Sequence, residues 1–174
     1  ALQTTIAANV HGLRVAPLAP TIIREATSLR DQGADLIVVS AHAGSRCEDF
    51  SDAFDTSSCN MDGEIMRTAS ALPTGLVDHI VAGHVHQGIA HIVNGISITS
   101  AYSSTRAFSR TDFTVYLDGR GLASRLVFPP QPATIAEGAT YEGIELHPDP
   151  DVVRVASQAA MAADAKKNAG LGVT

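Results

Sequence analysis

Three histidines lie in segments whose sequence suits metal binding. His42 lies in segment 40–44 (SAHAG), and His84 and His86 lie in segment 82–88 (AGHVHQG). Each segment follows a short apolar run, and its glycines free the backbone to turn, so that histidines spaced i and i+2 can converge on one point. Imidazole binds zinc, manganese, iron and related ions, and its second nitrogen stays free for a supporting hydrogen bond. These segments predict a metal site, although no cysteine or carboxylate cluster completes its ligand set.

The remaining four histidines are interpreted as structural residues. A histidine that stands alone in sequence is more often a hydrogen-bonded part of the fold than a metal ligand, and this interpretation applies to His11, His79, His91 and His147. His79 lies inside an apolar segment, where burial explains a histidine as well as chemistry does.

Two cysteines, Cys47 and Cys59, lie in a polar segment rich in Asp and Ser. A disulfide between them would stabilise the fold by roughly 3 kcal/mol in the chain-entropy model, and it would imply an oxidising compartment. Two unpaired thiols are the alternative, which the sequence leaves open. Neither cysteine is interpreted as catalytic, since no basic cluster lies beside it in the sequence.

Alternating helices and strands must position these residues. Helical periodicity over 20–32 and 62–72 alternates with apolar, β-branched runs at 34–40 and 77–82. This order is typical of a layered α/β fold, and the two runs are interpreted as parallel strands buried on both faces. In such sheets ligands bind outside the carboxyl ends of the strands, which is where the histidine segments begin.

The second half of the chain is predicted to be antiparallel and then helical. The dipeptide Asn94-Gly95 between the runs 89–93 and 96–100 is a strong hairpin signal, because both residues must take positive φ. A second pair of strands, 112–117 and 123–128, flanks a turn at 118–121. An alanine-rich helix is predicted over 149–169.

Composition excludes two classes of partner. The chain has 174 residues, about one domain, with a formal net charge of −6 and its basic residues scattered, which argues against nucleic-acid binding. Its apolar stretches are too short to span a bilayer. The first residues lack an initiator methionine and a signal-peptide profile, so the start is interpreted as a cut in a longer protein.

The two histidine segments and the strands before them resemble one enzyme family. Segments 35–44 (DLIVVSAHAG) and 77–87 (VDHIVAGHVHQ) are similar to motifs of the calcineurin-like metallophosphoesterases, in the 5′-nucleotidase and UDP-sugar hydrolase branch. The resemblance covers about residues 9–128. It implies an α/β chain that is part of a four-layer αββα sandwich, with residues 1–148 as the C-terminal half of the catalytic domain. Residues 149–174 would be a connector helix leading to a C-terminal substrate domain.

The resemblance implies a dinuclear phosphoesterase, in which two divalent ions such as zinc or manganese activate a water molecule for attack on phosphate. His42 and His84 would bind one ion, and His86 would bind the other. The family also uses Asp-x-His, Gly-Asp-x-x-Asp and Gly-Asn-His-Glu/Asp motifs, and none of these occurs in this sequence. No catalytic residue is therefore assigned here, and the isolated chain is expected to be inactive.

The resemblance also implies partners and a location. The substrate would be a small phosphate ester of nucleotide type, and no substrate-binding residue is assigned. The chain would associate with the missing N-terminal half of its domain or with a second copy, in the periplasm or outside the cell. Two other functions remain open, namely a sulfur-ester hydrolase of the same fold and a binding or scaffold domain that has lost catalysis.

Overall fold

The computed structural model describes residues 11–116, 121–132 and 139–169, which form a mixed α/β protein. The chain divides into two compact units, with the division between residues 133 and 134. Each unit is described separately below. The expected domain boundary at residue 148 remains a prediction.

The first unit contains two helices and eight strands within its described residues. Helix α1 and helix α2 lie close to the two regions where helical periodicity predicted them. Strands β1 and β2 have three residues each and are shorter than the apolar runs that predicted them. The elements are α1 Leu18–Asp31, β1 Val38–Ser40, α2 Glu64–Ala71, β2 His79–Val81, β3 Gly88–Val93, β4 Ile96–Ala101, β5 Ala107–Phe108, β6 Thr111–Tyr116, β7 Gly121–Val127 and β8 Gln131–Pro132.

The main sheet has the strand order β1-β2-β4-β3. Strand β1 pairs with β2 in parallel, and β2 pairs with β4 in parallel, so the predicted parallel arrangement of the first two strands is confirmed. Strand β3 pairs with β4 in antiparallel orientation. Because β1 and β2 run the same way, the segments that follow them leave the sheet at the same edge.

One face of this sheet carries the core. Ile80 and Ile98 are paired in the β2–β4 register and fully buried, as are Ile65 and Met66 of α2. Ala26 of α1 belongs to the same cluster. Burying an isoleucine or methionine side chain contributes about 2 kcal/mol, so this face supplies most of the hydrophobic stabilisation in this part of the fold.

The expectation that β1 and β2 are covered on both faces is wrong. Val38 and Val81 point to the second face and are 50% and 42% exposed. The hairpin of β6 and β7 covers part of that face, where the Phe113 ring meets the His79 ring edge to face at 5.4 Å. Apolar side chains on both faces of a strand allow both faces to be buried. Whether each face is buried depends on which helices or strands pack against it.

The two antiparallel pairings predicted from sequence are present. Asn94 and Gly95 have φ values of 51° and 75° and join β3 to β4, which confirms the hairpin. Strands β6 and β7 also pair in antiparallel orientation. The turn predicted at 118–121 lies outside the described residues except for Gly121. A short additional pair joins β5 to β8.

The second unit contains a two-stranded hairpin and the final helix. Strands β9 (Thr140–Tyr141) and β10 (Ile144–Glu145) pair in antiparallel orientation, and helix α3 spans Pro150–Lys167. The Asp149 side chain accepts hydrogen bonds from the first backbone N–H groups of α3, as expected of an N-cap. The predicted C-terminal helix is thus confirmed. None of the helices described is both long enough and apolar enough to cross a membrane.

Candidate metal centre

Backbone hydrogen bonds join the two segments that carry the candidate ligands. The N–H of Ala41 donates to the Val81 carbonyl at 2.9 Å, and the N–H of Gly83 donates to the Ala43 carbonyl at 3.1 Å. These bonds extend the contact between β1 and β2 past the ends of both strands. The segments therefore lie side by side at the carboxyl edge of the sheet.

Gly44 permits this close approach. A Cβ atom at position 44 would collide with the Gly83 carbonyl and the Val85 side chain. A Cβ atom at position 83 would meet its nearest neighbours at 3.9 Å, an ordinary contact. Of the two glycines, only Gly44 is required by the packing of the segments.

His42 and His84 come into direct contact. Nδ1 of His84 lies 3.1 Å from Nε2 of His42, and the ring centroids are 4.8 Å apart at an interplanar angle of 62°. Two imidazole nitrogens bound to one tetrahedral zinc ion at about 2.0–2.1 Å each would be roughly 3.3 Å apart. The observed separation fits two ligands of one ion. In the metal-free pair one ring donates a proton to the other, so metal binding would replace this hydrogen bond.

His84 and His86 both have left-handed backbone conformations, with φ values of 76° and 60°. This conformation costs a non-glycine residue about 1 kcal/mol, and such strain is often found at functional sites. Within the described residues, no hydrogen bond or ring contact joins His86 to His42 or His84. The structure thus brings together two of the three predicted ligands, and the metal-binding role of all three remains a prediction.

A complete ligand set is not formed by the described residues alone. Among them, no further His, Cys, Asp or Glu ligand atom lies close enough to form a group of three with His42 and His84. A pair of divalent ions needs carboxylates to balance its charge. The histidine pair therefore fits two positions around a single ion and does not by itself fit a dinuclear cluster.

A surface pocket of about 400 Å³ lies beside His84. Its polar lining includes Arg46, Asn60 and Glu64, where Glu64 is the first residue of α2. Sequence analysis missed these residues because they come from separate segments without a shared motif. The only available signal was the position of Arg46, four residues after His42.

The structure contains the disulfide that the sequence left open. Cys47 and Cys59 are bonded and close a loop over a separation of 12 residues. The N–H of Cys47 donates to the Gly88 carbonyl at 3.1 Å, which connects this loop to the start of β3. A disulfide is compatible with an extracellular location.

His79 occupies a structural position in the sheet. Ser97 Oγ donates to the Asp78 carbonyl and lies 2.8 Å from His79 Nδ1, so this oxygen is free to accept the proton of Nδ1. Nε2 can then accept from the Thr99 hydroxyl at 3.3 Å. Burial lowers the pKa of His79, the backbone of Ser97 acts in the opposite direction, and the charge of Arg125 adds to the lowering. The buried ring is therefore held neutral.

His91 is fully buried but does not follow the same pattern. Its Nε2 has no hydrogen-bond partner among the described residues, and Nδ1 receives only a long 3.4 Å contact from the N–H of Ala90. Burial lowers the pKa of His91, while the Asp49 backbone and nearby carboxylates act in the opposite direction. The approach of the Asp49 backbone does not have the geometry of a hydrogen bond to Nε2.

No family model matches this chain, and no curated protein matches it. The resemblance to metallophosphoesterases thus rests on the two histidine segments and their strands.

Proposed function

We propose that this chain supplies part of the metal centre of a calcineurin-like metallophosphoesterase of the 5′-nucleotidase type. The observation that carries the proposal is the 3.1 Å approach of His84 Nδ1 to His42 Nε2, at the ends of adjacent parallel strands. The fold would be the four-layer αββα sandwich. The face of the main sheet that exposes Val38 and Val81 would then pack against the second sheet.

The three histidines are divided between two metal ions in this proposal. His42 and His84 hold one divalent ion, zinc or manganese, and His86 holds the second. The two metal ions, when bound, would neutralise the phosphate charge and supply an activated water. The contribution of this chain is to fix imidazole nitrogens in place, through the backbone bonds between segments 41–43 and 81–83.

The substrate class proposed is a phosphate ester of nucleotide type. Arg46 lines the same pocket as His84, and its guanidinium would suit a phosphate oxygen of a substrate bound there. The carboxylate and asparagine motifs of the family are absent from this sequence, so the active protein would contain further residues that carry them. The Cys47–Cys59 disulfide supports a periplasmic or extracellular location for it.

Metal binding by the chain tests the first half of the proposal. Titration of the metal-free chain with zinc or manganese is expected to show binding of one ion. The affinity for this ion is expected to fall at least tenfold in His42→Ala and in His84→Ala. His147→Ala, which changes an exposed histidine of the second unit, is the matched control. Equal affinity in all four proteins would exclude the histidine pair as the binding site.

An assay of phosphate release tests the proposed phosphoesterase activity. With zinc or manganese and a nucleoside monophosphate, the chain alone is expected to release no phosphate. Activity should appear when a polypeptide carrying the three missing motifs is added, and it should disappear with His42→Ala. Activity of the unassisted chain would contradict the proposal. Hydrolysis of a sulfur ester in place of the phosphate ester, or metal binding without any hydrolysis by the assembled protein, would favour one of the other two functions.

A further inference from the structure

A second group of metal-ligating side chains lies away from the histidine pair. The sulfur atoms of Cys47 and Cys59 and a ring nitrogen of His91 all lie within 4.8 Å of one another. His91 is completely buried and Cys47 is 5% exposed. The three residues come from the disulfide loop and from β3, so long-range folding brings them together.

The buried His91 ring has a nitrogen atom without a hydrogen-bond partner among the described residues. A buried polar atom normally finds a partner, because leaving it unpaired costs about 1–3 kcal/mol. Nε2 of His91 has no such partner within the described residues. The Phe50 ring lies 5.8 Å from the His91 ring, which shields that side chain from water. The neutral ring therefore retains a nitrogen lone pair, and one of its nitrogens lies within 4.8 Å of both sulfur atoms.

Thiolate and imidazole together form one of the common ligand sets of zinc. Around one tetrahedral zinc ion, with Zn–S near 2.3 Å and Zn–N near 2.0–2.1 Å, the ligand atoms are roughly 3.3–3.8 Å apart. To reach that geometry, the two sulfurs must separate from the roughly 2 Å of a disulfide to about 3.8 Å after reduction. The imidazole nitrogen, now within 4.8 Å of both sulfurs, must come about 1 Å closer to them. While the disulfide is intact the sulfurs are not thiolates, and the set is incomplete.

We propose that reduction of the Cys47–Cys59 disulfide creates a mononuclear zinc site formed by both cysteines and His91, with water as the fourth ligand. A dithiol reductant supplies two electrons and two protons. The S–S bond breaks, two cysteine thiols form, and the reductant becomes a cyclic disulfide. Zinc then displaces one proton from each thiol and binds the two thiolates and the imidazole.

The charge around the site favours a cation. The carboxylates of Asp49, Asp52 and Asp55 act electrostatically on His91, and all three residues lie in the disulfide loop. The loop would be closed in both redox states, by a covalent bond when oxidised and by zinc when reduced. The backbone bond from Cys47 to Gly88 at the start of β3 would then persist under reducing conditions.

The test uses the full chain with His42, His84 and His86 all changed to alanine, which removes the other candidate centre. Cobalt(II), a spectroscopic substitute for zinc, is added anaerobically to the oxidised protein and to the protein reduced with a phosphine. One equivalent of cobalt with thiolate-to-metal charge-transfer absorption is expected only after reduction. Competition with a chromophoric chelator then gives the zinc affinity of each form.

Two variants identify the ligands. Cys47→Ser combined with Cys59→Ser should abolish the charge-transfer absorption, and His91→Gln should weaken zinc binding by the reduced protein at least tenfold. Since His91 is buried, the glutamine variant is first checked for folding in its oxidised form by circular dichroism. If it does not fold, the reduced cobalt protein with His91 intact should show a paramagnetically shifted imidazole resonance.

Three results would overturn the proposal. The first is zinc affinity of the reduced protein no higher than that of the double serine variant. The second is unchanged affinity in a folded His91→Gln protein. The third is a cobalt complex with thiolate absorption but without a shifted imidazole resonance.

Discussion

Gly44 and Gly83 stand beside candidate ligands in similar sequence surroundings, yet the structure distinguishes them at the residue scale. A methyl group at position 44 would collide with backbone of the neighbouring segment, whereas position 83 has room for it. We expect Gly44→Ala to lower the free energy of unfolding by about 2 kcal/mol, as overpacking does, and to weaken zinc binding at least tenfold. Urea denaturation and zinc titration measure the two effects.

Gly83→Ala is the matched control for Gly44→Ala. Its nearest new contacts are 3.9 Å away, and the backbone of Gly83 is not among those with positive φ. We expect stability and zinc affinity close to those of the unchanged chain. If both alanine variants lose affinity equally, the close approach at Gly44 does not position the ligands.

The buried histidines predict a pH dependence of stability. Burial lowers the pKa of both His79 and His91 in the folded state, while an unfolded histidine titrates near 6.5. Below about pH 6.5 the unfolded state therefore binds more protons, and the free energy of unfolding should fall as pH drops from 7 towards 5. Urea denaturation across this range, with chelator present to exclude metals, measures the slope.

His79→Gln should reduce that slope, because it removes one group that must be neutral in the folded state. Stability that is constant or increases between pH 7 and pH 5 would contradict the inferred protonation states.

Asn94 shows how one residue joins two elements. It takes φ 51° in the turn between β3 and β4, and its Nδ2 donates to the Leu72 carbonyl, just past the end of α2, at 2.7 Å. Its Oδ1 accepts from the Thr74 hydroxyl at 2.9 Å. We expect Asn94→Ala to lower the free energy of unfolding by about 2–3 kcal/mol, since it loses both the backbone preference and the hydrogen bonds.

Asn94→Gly separates the two contributions. Glycine accepts positive φ without strain, so only the side-chain bonds to the α2 end are lost, and we expect a loss of about 1 kcal/mol. Denaturant melts of the two variants give the comparison. A glycine variant as unstable as the alanine variant would assign the whole effect to the hydrogen bonds.

Elements governed by local sequence could be predicted well. The three helices follow from apolar periodicity, and the β3–β4 hairpin follows from Asn94-Gly95, because each signal acts within a few residues. The approach of His42 to His84 could be predicted from the rule for strand ends in parallel sheets. The neighbours of His91 and the cover on the second sheet face could not, because contacts between segments distant in sequence determine both.

The exposed second face of the main sheet leads to a prediction for the whole chain. Val38 and Val81 are apolar and substantially exposed on adjacent strands. We expect the chain to bind a hydrophobic dye and to self-associate with rising concentration. Val38→Thr combined with Val81→Thr keeps the side-chain shape and should reduce both effects, as measured by dye fluorescence and light scattering.

Val153→Thr is the control for that pair. Val153 is 46% exposed on α3, so its exposure is similar while its location is outside the sheet. Little change is expected in dye binding or association. A concentration-independent monomer of 18.1 kDa without dye binding would show that the second face is not an association surface.

The strand order has a consequence for the synthesis of the protein. Strand β4 is inserted between β2 and β3, although the ribosome makes β3 first. During synthesis β2 therefore has one unpaired edge, and β3 has no pairing strand among the described residues, until Ala101 has emerged from the ribosome. A pause in translation after β3 has left the ribosome and before β4 has left it would prolong the lifetime of these open edges, which are prone to aggregation. Slow codons that hold the chain at this stage should thus lower the yield of folded protein more than slow codons read after β4 has emerged.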